Sequence, residues 1–252
     1  IMVRFCLDLF KAAKVNDIPI NKDYNGDDQE GMGYTQTTIY KGERMSAKVA
    51  YLSPIKSRQN LTIITNSLVT KLLFKGKQCI GTEVKNKNKL IEFIAAKEVI
   101  LCGGAINSPQ VLELSGVGDR SILESNSIKL VHELKGVGEN LRDHLAPRLV
   151  YNITKPGIAY NDKARGVNLI KQVLKYVFKR DGFLSLPSAP VLGFFKTRKE
   201  LSEPDVQVHF IPYKVVLKDG KRTLGKEPGI TCTLNQNLPE SKGSIHIKSN
   251  DP

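Results

Sequence analysis

The stretch from Lys97 to Gly118 constrains the fold of this chain more than any other part of its sequence. It reads KEVILCGGAINSPQVLELSGVG, which is a short apolar run, two glycines and then apolar residues at helical spacing. The apolar run Val99–Cys102 predicts a buried strand, in which the Cys102 side chain packs as a small apolar group. The glycine pair predicts a tight turn that leads directly into a helix.

The beginning of that helix is predicted from two residues. Ser108 is a favourable N-cap, and Pro109 suits the first helical position because its missing N–H would have no partner there. Gly116 is placed to end the helix. A strand that passes through glycines into a helix N-terminus presents backbone N–H groups and a positive dipole end to an anion. From the residues alone, a phosphate or anion site and an ordinary β–turn–α corner of a core both stay open.

Residues 104–118, GAINSPQVLELSGVG, resemble position by position the second signature of the glucose–methanol–choline (GMC) family of flavin oxidoreductases. The small, hydroxyl, proline, paired-aliphatic and Ser-Gly-x-Gly positions are all filled. This resemblance implies an α/β and α+β fold class, with a partial FAD/NAD(P)-binding (Rossmann-like) domain and an antiparallel-sheet GMC substrate domain. It also implies FAD as the cofactor.

Two further segments carry the same resemblance. Residues 136–144, GVGENLRDH, match the family element Gly-Val-Gly-x-Asn-Leu-x-Asp-His, and residues 46–52 match a hydroxyl-Ala-x-x-Ala-Tyr-Leu stretch. Without the family, residues 136–144 are a hydrogen-bonded loop and Ser46-Ala47 is a helix start. With it, the loop encloses the flavin and does not supply the catalytic base.

The resemblance therefore implies a set of cofactor-binding residues. One of them, Val69, corresponds to a valine that borders the adenine through its backbone, although by itself it is simply a strand valine. The complete set is Val69, Gly104, Ala105, Asn107, Ser108, Pro109, Asn140, Asp143 and His144. We expect no catalytic residue and no metal ligand in this chain.

The sequence divides into three expected segments. Residues 1–58 contain a helix over 4–14 and a turn-rich part at the junction of the substrate and FAD domains. Residues 59–148 contain strands separated by KGKQ and NKNK turns and form the partial FAD-binding domain. Residues 149–252, the truncated substrate-binding domain, contain an amphipathic helix ending at Gly182 and several alternating strands, which together predict an antiparallel sheet covered on one side.

Composition excludes several classes of protein. The net charge of +13 is spread along the chain, without interleaved aromatic residues or zinc-finger spacing, so we expect a solvated basic surface and no nucleic-acid partner. No apolar run approaches the length of a membrane span. Four widely separated cysteines, without a CxxC motif, indicate neither a disulfide framework nor a metal site.

Two family elements have no counterpart in these residues. The sequence contains no GxGxxG motif for the ADP part of FAD, and the family's catalytic histidine belongs to a C-terminal segment. The resemblance therefore implies an internal segment of a longer enzyme, inactive by itself. We expect such a segment to be poorly soluble or molten, because sheet edges and core that the missing parts cover would be exposed. A secreted or extracellular location is the expectation from the family, since neither the N-terminal sequence nor the two N-x-[ST] triplets decide the compartment.

Two functional hypotheses follow. The first is an FAD-dependent oxidoreductase similar to insect glucose dehydrogenases, which oxidises the CH–OH group of a small alcohol or sugar and passes electrons to an acceptor that the sequence does not identify. Hydride goes to the flavin N5, and a histidine base takes the hydroxyl proton. The second is a GMC-like binding or structural module without redox chemistry.

Overall fold

A computed structural model describes residues 2–154 and 157–252 of the chain. The chain forms two compact units, each built from two separate stretches. The first unit consists of Ile1–Arg58 and His144–Leu238, and the second of Gln59–Asp143 and Pro239–Pro252.

The described residues contain four α-helices and fourteen β-strands. The helices are α1 (Met2–Val15), α2 (Gly104–Leu114), α3 (Arg120–Ser125) and α4 (Gly166–Lys179). The strands are β1 (Gly31–Tyr34), β2 (Ile39–Tyr40), β3 (Glu43–Arg44), β4 (Ser67–Lys75), β5 (Gln78–Asn86), β6 (Lys89–Ile94), β7 (Val117–Gly118), β8 (His132–Glu133), β9 (Arg148–Asn152), β10 (Val191–Phe195), β11 (Val206–Ile211), β12 (Val215–Lys218), β13 (Lys221–Leu224) and β14 (Gly229–Gln236). Shorter turns are a π-helix over Lys48–Leu52 and 3₁₀ turns at Ser53–Ile55, Tyr160–Asp162 and Phe183–Ser185.

The first unit is organised around a five-stranded antiparallel sheet in the order β1-β10-β11-β14-β9. Helix α1 covers one face of this sheet, because Phe5, Cys6 and Ala13 recur on one side of the helix and are buried with Met32 and Val191. The opposite face carries a smaller cluster of Tyr24, Leu192 and Phe194. Adjacent residues of β10 therefore pack on opposite faces, as the pleat of a strand requires.

The predicted helices exist, but the helix that covers the sheet is α1. The apolar stripe of α4 is present in the sequence, yet Ile170, Val173, Leu174, Val177 and Phe178 are 42–79 % exposed. The prediction that Gly182 is the C-cap of α4 is also wrong. The C-cap is Arg180, two residues earlier, which takes the left-handed conformation (φ +49°) and donates its N–H to the Tyr176 carbonyl.

The second unit begins with a three-stranded antiparallel sheet, β4-β5-β6, formed by two consecutive hairpins. The hairpins confirm the predicted turns, but Asn66 has a positive φ and β4 begins only at Ser67, so residues 60–66 are not part of a strand. Helices α2 and α3 follow, with a short parallel pair β7–β8. Asp119 caps α3 by accepting a hydrogen bond from the Ser121 N–H at 2.9 Å.

The buried strand predicted at Val99–Cys102 is not formed. Among residues 59–143 and 239–252, no strand pairs with this run, Ile100 is 74 % exposed, and Cys102 is exposed with a free thiol. A strand requires a hydrogen-bonding neighbour, so an apolar run that has none in its own unit does not form a strand.

The division into units also differs from the three predicted segments. Residues 31–34 pair with β10, which places the N-terminal stretch in the same sheet as residues beyond 144. Residues 239–252 return to the second unit, where Gly243 and Leu141 exchange two backbone hydrogen bonds of 2.8 and 2.9 Å. Both pairings join residues that the prediction assigned to different segments. The assignment of an FAD-binding and a substrate-binding part stays a prediction.

No helix in residues 2–154 and 157–252 combines the length and apolarity that crossing a bilayer requires.

Two buried tyrosines of the first unit give a paired stability prediction. The Tyr160 hydroxyl has no hydrogen-bond partner in the described residues, and burial raises the pKa of its phenol, whereas the Tyr24 hydroxyl accepts the Gln36 N–H at 2.7 Å. We expect Tyr160→Phe to leave the free energy of unfolding unchanged or to raise it, because an unsatisfied polar group is removed. Tyr24→Phe should lower the free energy of unfolding by about 1 kcal/mol.

Urea denaturation of the two variants and the parent chain measures the difference. A loss of stability in Tyr160→Phe equal to that in Tyr24→Phe would contradict the assignment of the unsatisfied hydroxyl.

Candidate functional site

The candidate site lies at the beginning of α2, where the helix starts earlier than predicted. Gly103 is the N-cap and Gly104 is the first helical residue, with a φ of +74° that favours glycine. The expectation that Ser108 caps the helix and that Pro109 is its first residue is therefore wrong. The glycine pair turns the chain into the helix four residues before Ser108.

The start of α2 leaves backbone N–H and carbonyl groups without hydrogen-bond partners inside the helix. The first N–H groups of any α-helix have no partner within the helix, and Gly103 supplies no side-chain cap. Pro109 lies inside the helix, so the Ala105 carbonyl, four residues earlier, lacks its usual N–H donor. Both kinds of group lie in the first turns of α2.

A cavity of about 560 Å³ lies against this helix start. One wall is α2, and the facing wall is the loop 134–142, closed by Ile245 from the C-terminal stretch. The lining residues are Gly104, Ala105, Ser108, Pro109, Leu112, Leu134, Gly136, Val137, Gly138, Glu139, Asn140, Leu141, Arg142 and Ile245. Five of the predicted cofactor-binding residues, Gly104, Ala105, Ser108, Pro109 and Asn140, therefore share one cavity.

A second cavity, of about 390 Å³, lies on another side of α2. Val69 of β4 and Asn107 of α2 both line it, together with Gly103 and residues of the exposed 100–102 run. Two more predicted residues are thus brought together, although they are 38 positions apart in the sequence (107 − 69). They do not line the first cavity.

The last two predicted residues, Asp143 and His144, follow the cavity-lining Arg142 directly in the sequence. The chain passes from the second unit to the first between them. Both have interaction partners in the structure. Their role in cofactor binding stays a prediction.

The loop that forms the second wall is held by the returning C-terminal stretch. The Ile245 N–H donates to the Gly138 carbonyl at 2.8 Å, and Leu141 pairs with Gly243. Gly138 has a φ of +79°, and a Cβ there would lie 2.6 Å from His246 Nδ1. The second glycine of the Gly-Val-Gly element is therefore needed for backbone conformation and for close packing.

Sequence reasoning missed a group of charged side chains beside this cavity. Glu113 of α2 is fully buried; its Oε1 lies 2.6 Å from His246 Nδ1, and its Oε2 accepts a hydrogen bond from the Ile247 N–H at 2.9 Å. The other ring nitrogen of His246, Nε2, lies 3.0 Å from Glu139 Oε1. We call Glu113, His246 and Glu139 the glutamate–histidine bridge. No spacing or motif could have indicated it, since Glu113 and His246 are 133 positions apart.

Ser115, a filled position of the family signature, has a structural role here. It is buried, its hydroxyl donates to the Val111 carbonyl, and it accepts the Leu72 N–H at 2.7 Å. This hydroxyl joins the end of α2 to β4, and so fixes the helix against the sheet that carries Val69.

The residues around the first cavity fit a diphosphate-containing cofactor such as FAD. Uncapped N–H groups at the glycine start of α2 can donate to phosphate oxygens, and Arg142 adds a cation to the lining. Gly104 and Gly136 leave open space where a side chain would project, so a ligand can approach the backbone closely. No group of three or more His, Cys, Asp or Glu side chains in the described residues is arranged to hold a metal ion.

The two glycines of the loop give a matched prediction. Gly138→Ala should lower the free energy of unfolding by about 2 kcal/mol or more, because its positive φ is unfavourable for alanine and its Cβ would contact His246. Gly136→Ala should be neutral, because a Cβ there meets nothing within 4 Å. Thermal unfolding of both variants measures the difference, and equal melting temperatures would contradict the close packing of Gly138.

Comparison with known proteins now identifies the family. The model of a protein family, described as GMC oxidoreductase, matches residues 5–146 of this chain. An alcohol dehydrogenase [acceptor] from Pseudomonas putida is 39 % identical over 240 residues, which cover 93 % of this chain and 43 % of the relative. An oxygen-dependent choline dehydrogenase from Citrobacter koseri is 39 % identical over 237 residues, which cover 93 % of this chain and 42 % of the relative.

Solved structures show the same fold at lower sequence identity. A formate oxidase superposes with a TM-score of 0.86 at 23 % identity, over 98 % of this chain and 47 % of that chain. An FAD-dependent oxidoreductase from Chaetomium thermophilum superposes with a TM-score of 0.78 at 21 % identity, over 96 % of this chain and 48 % of that chain.

The chain spans less than half the length of the relatives that it matches. The family model nevertheless covers more than half of the chain, and the relatives cover nearly all of it. The predicted fold class is confirmed, as is FAD as the cofactor of the family. The chain belongs to the GMC oxidoreductase family.

Proposed function

We propose that this chain provides part of the FAD site and part of the substrate domain of an oxidoreductase that acts on CH–OH groups of a small alcohol or sugar. The relatives named above include an alcohol dehydrogenase and a choline dehydrogenase, which supports a small hydroxylated substrate. Glucose also carries CH–OH groups, and we include it among the candidate substrates because the sequence resembles that of insect glucose dehydrogenases.

The observation that carries this proposal is the cavity between α2 and the loop 134–142. It joins five of the residues that the family resemblance assigns to the cofactor, and it places them beside an uncapped helix start. Backbone N–H groups there hold an anionic group without a side chain, and the glycines leave room for it. Leu112, Val137 and Ile245 add apolar surface to the same cavity.

In this proposal the bound FAD supplies a hydride acceptor, which no amino-acid side chain provides. The residues of this chain bind and orient the cofactor. Val69 and Asn107 would hold a separate part of it from their own cavity, and Asn140 would hold it from the loop wall. The proton of the substrate hydroxyl passes to a histidine base that lies outside these 252 residues.

Cofactor binding is tested with a charge placed in the cavity wall. Ser108→Asp adds a negative charge within the first turns of α2, so we expect the dissociation constant for FAD to rise by at least about tenfold, because like charges repel in a partly desolvated site. Ser202→Asp, an exposed serine of the first unit, is the matched control and should leave it unchanged. Quenching of flavin fluorescence on titration measures both constants.

If Ser108→Asp and Ser202→Asp bind FAD with equal affinity, the diphosphate of FAD does not bind near Ser108. Binding by neither the parent chain nor the control would refute the proposal that this chain holds part of the cofactor site.

Turnover is tested separately. With added FAD and a dye acceptor, we expect the chain of 252 residues to bind the cofactor but not to reduce the dye in the presence of choline, glucose or a primary alcohol, because this proposal assigns the base to a histidine outside these residues. Dye reduction that depends on one of these substrates would show that the catalytic base lies within the chain.

A further inference from the structure

The geometry of His246 favours the protonated form of its ring. Both ring nitrogens lie within hydrogen-bond distance of a glutamate oxygen, 2.6 Å for Nδ1 and 3.0 Å for Nε2. An ionised carboxylate only accepts hydrogen bonds, and a neutral imidazole carries a proton on one nitrogen only. Both contacts are therefore satisfied together when His246 is an imidazolium.

We propose that His246 is a positioning residue of the cofactor cavity, which as an imidazolium holds the loop 136–142 against α2 through the glutamate–histidine bridge and releases Glu139 when it loses its proton. This inference rests on the proposed function, because the loop that it holds is a wall of the proposed FAD site. His246 itself is not among the residues that line that cavity.

The two ends of the bridge differ in their surroundings. Glu113 is fully buried inside α2, so its charge needs a permanent partner, whereas the Glu139 side chain is 45 % exposed and can turn to water. When His246 loses one proton, the remaining proton stays on Nδ1, where the buried carboxylate accepts it. Nε2 is then bare, and the ionised Glu139 has no hydrogen to accept.

The release of Glu139 changes the cavity. Glu139 is a lining residue, so its carboxylate faces an imidazolium at low pH and loses that counter-charge at high pH, when Arg142 is the cation that remains in the lining. A carboxylate that has lost a counter-charge repels an anionic cofactor more strongly. The other charged groups that line the neighbouring cavity with His246 are Lys248 and Asp251, both on its own stretch of chain.

Protonation of His246 favours the glutamate–histidine bridge at pH values below the His246 pKa. The hydrogen bond to Glu113, followed by that to Glu139, raises the pKa of His246 above its usual value near 6.5. The stability contributed by a group whose pKa is raised in the folded state is complete below the unfolded pKa and is lost as pH rises through the folded pKa. The loop is therefore held most firmly in mildly acidic solution.

The experiment compares loop protection across pH in the parent chain and in Glu139→Gln. A glutamine at this position can accept from a protonated Nε2 and can donate to a bare one, so it keeps the contact in both states of His246. Hydrogen–deuterium exchange, expressed as protection factors that correct for the intrinsic pH effect, reports the amides of Leu141 and Ile245. Both amides donate across the loop contact.

In the parent chain we expect these protection factors to fall by about tenfold as pH rises through the pKa of His246, which NMR of the imidazole ring measures directly. In Glu139→Gln the protection should not depend on pH. Glu98→Gln, which removes an exposed carboxylate from the same unit, should behave as the parent chain.

A pH-independent protection in the parent chain, or an equal decline in Glu139→Gln, would overturn the proposal. His246→Asn tests the two contacts separately, because the shorter amide keeps a donor near the Nδ1 position for Glu113 but does not reach Glu139. It should remain folded and lack the extra protection at low pH. If it is as protected as the parent chain at low pH, Glu139 plays no positioning role.

FAD titrations at pH values on both sides of the His246 pKa form a separate arm. We expect the dissociation constant to rise with pH in the parent chain and to stay constant in Glu139→Gln. If the chain binds no FAD at any pH, the proposed function fails, while exchange and NMR still report whether the bridge holds the loop. If FAD binds with an affinity that is independent of pH in both chains, the bridge does not act on the cofactor and the proposal is overturned.

Discussion

The buried carboxylate of Glu113 is the constraint on which the candidate site depends. A carboxylate with no solvent exposure is strongly unfavourable unless it is paired and hydrogen-bonded. Its partners, His246 and the Ile247 N–H, both belong to a stretch that lies more than a hundred positions further along the chain. Pairing this charge requires that stretch to return to α2.

The return of the C-terminal stretch builds the cavity wall as well as pairing the charge. As residues 243–247 pass α2, Ile245 contacts Gly138 and Gly243 contacts Leu141, so the Gly-Val-Gly loop is held at two positions. Glycine at 138 allows this approach, since any larger residue would meet the imidazole ring. Charge pairing, backbone pairing and glycine packing therefore act on the same loop, which faces the uncapped beginning of α2.

The first unit shows how a sheet can join distant parts of a sequence. Strand β1 pairs with β10, and α1 covers the face on which Met32 and Val191 lie, so residues near the N-terminus complete a sheet whose other strands come after position 144. The apolar stripe of α4 was expected to provide this cover, and in fact it faces solvent in the described structure. Periodicity shows that a helix has an apolar side, but it does not show which surface that side packs against.

The sequence alone determined the family, the cofactor and several local elements: α1, the two hairpins of β4–β6, the existence of a helix at α2, and five of the residues that line the α2 cavity. These follow from short-range patterns, because caps, turns and signature positions are read within a few neighbouring residues. Only the tertiary structure decided the early start of α2 at Gly104, the unpaired state of Val99–Cys102, the pairing of β1 with β10 and the bridge between Glu113 and His246. The last three depend on a partner, or on the absence of one, far away in the sequence, because a strand or a buried charge is defined by its partner rather than by its neighbours.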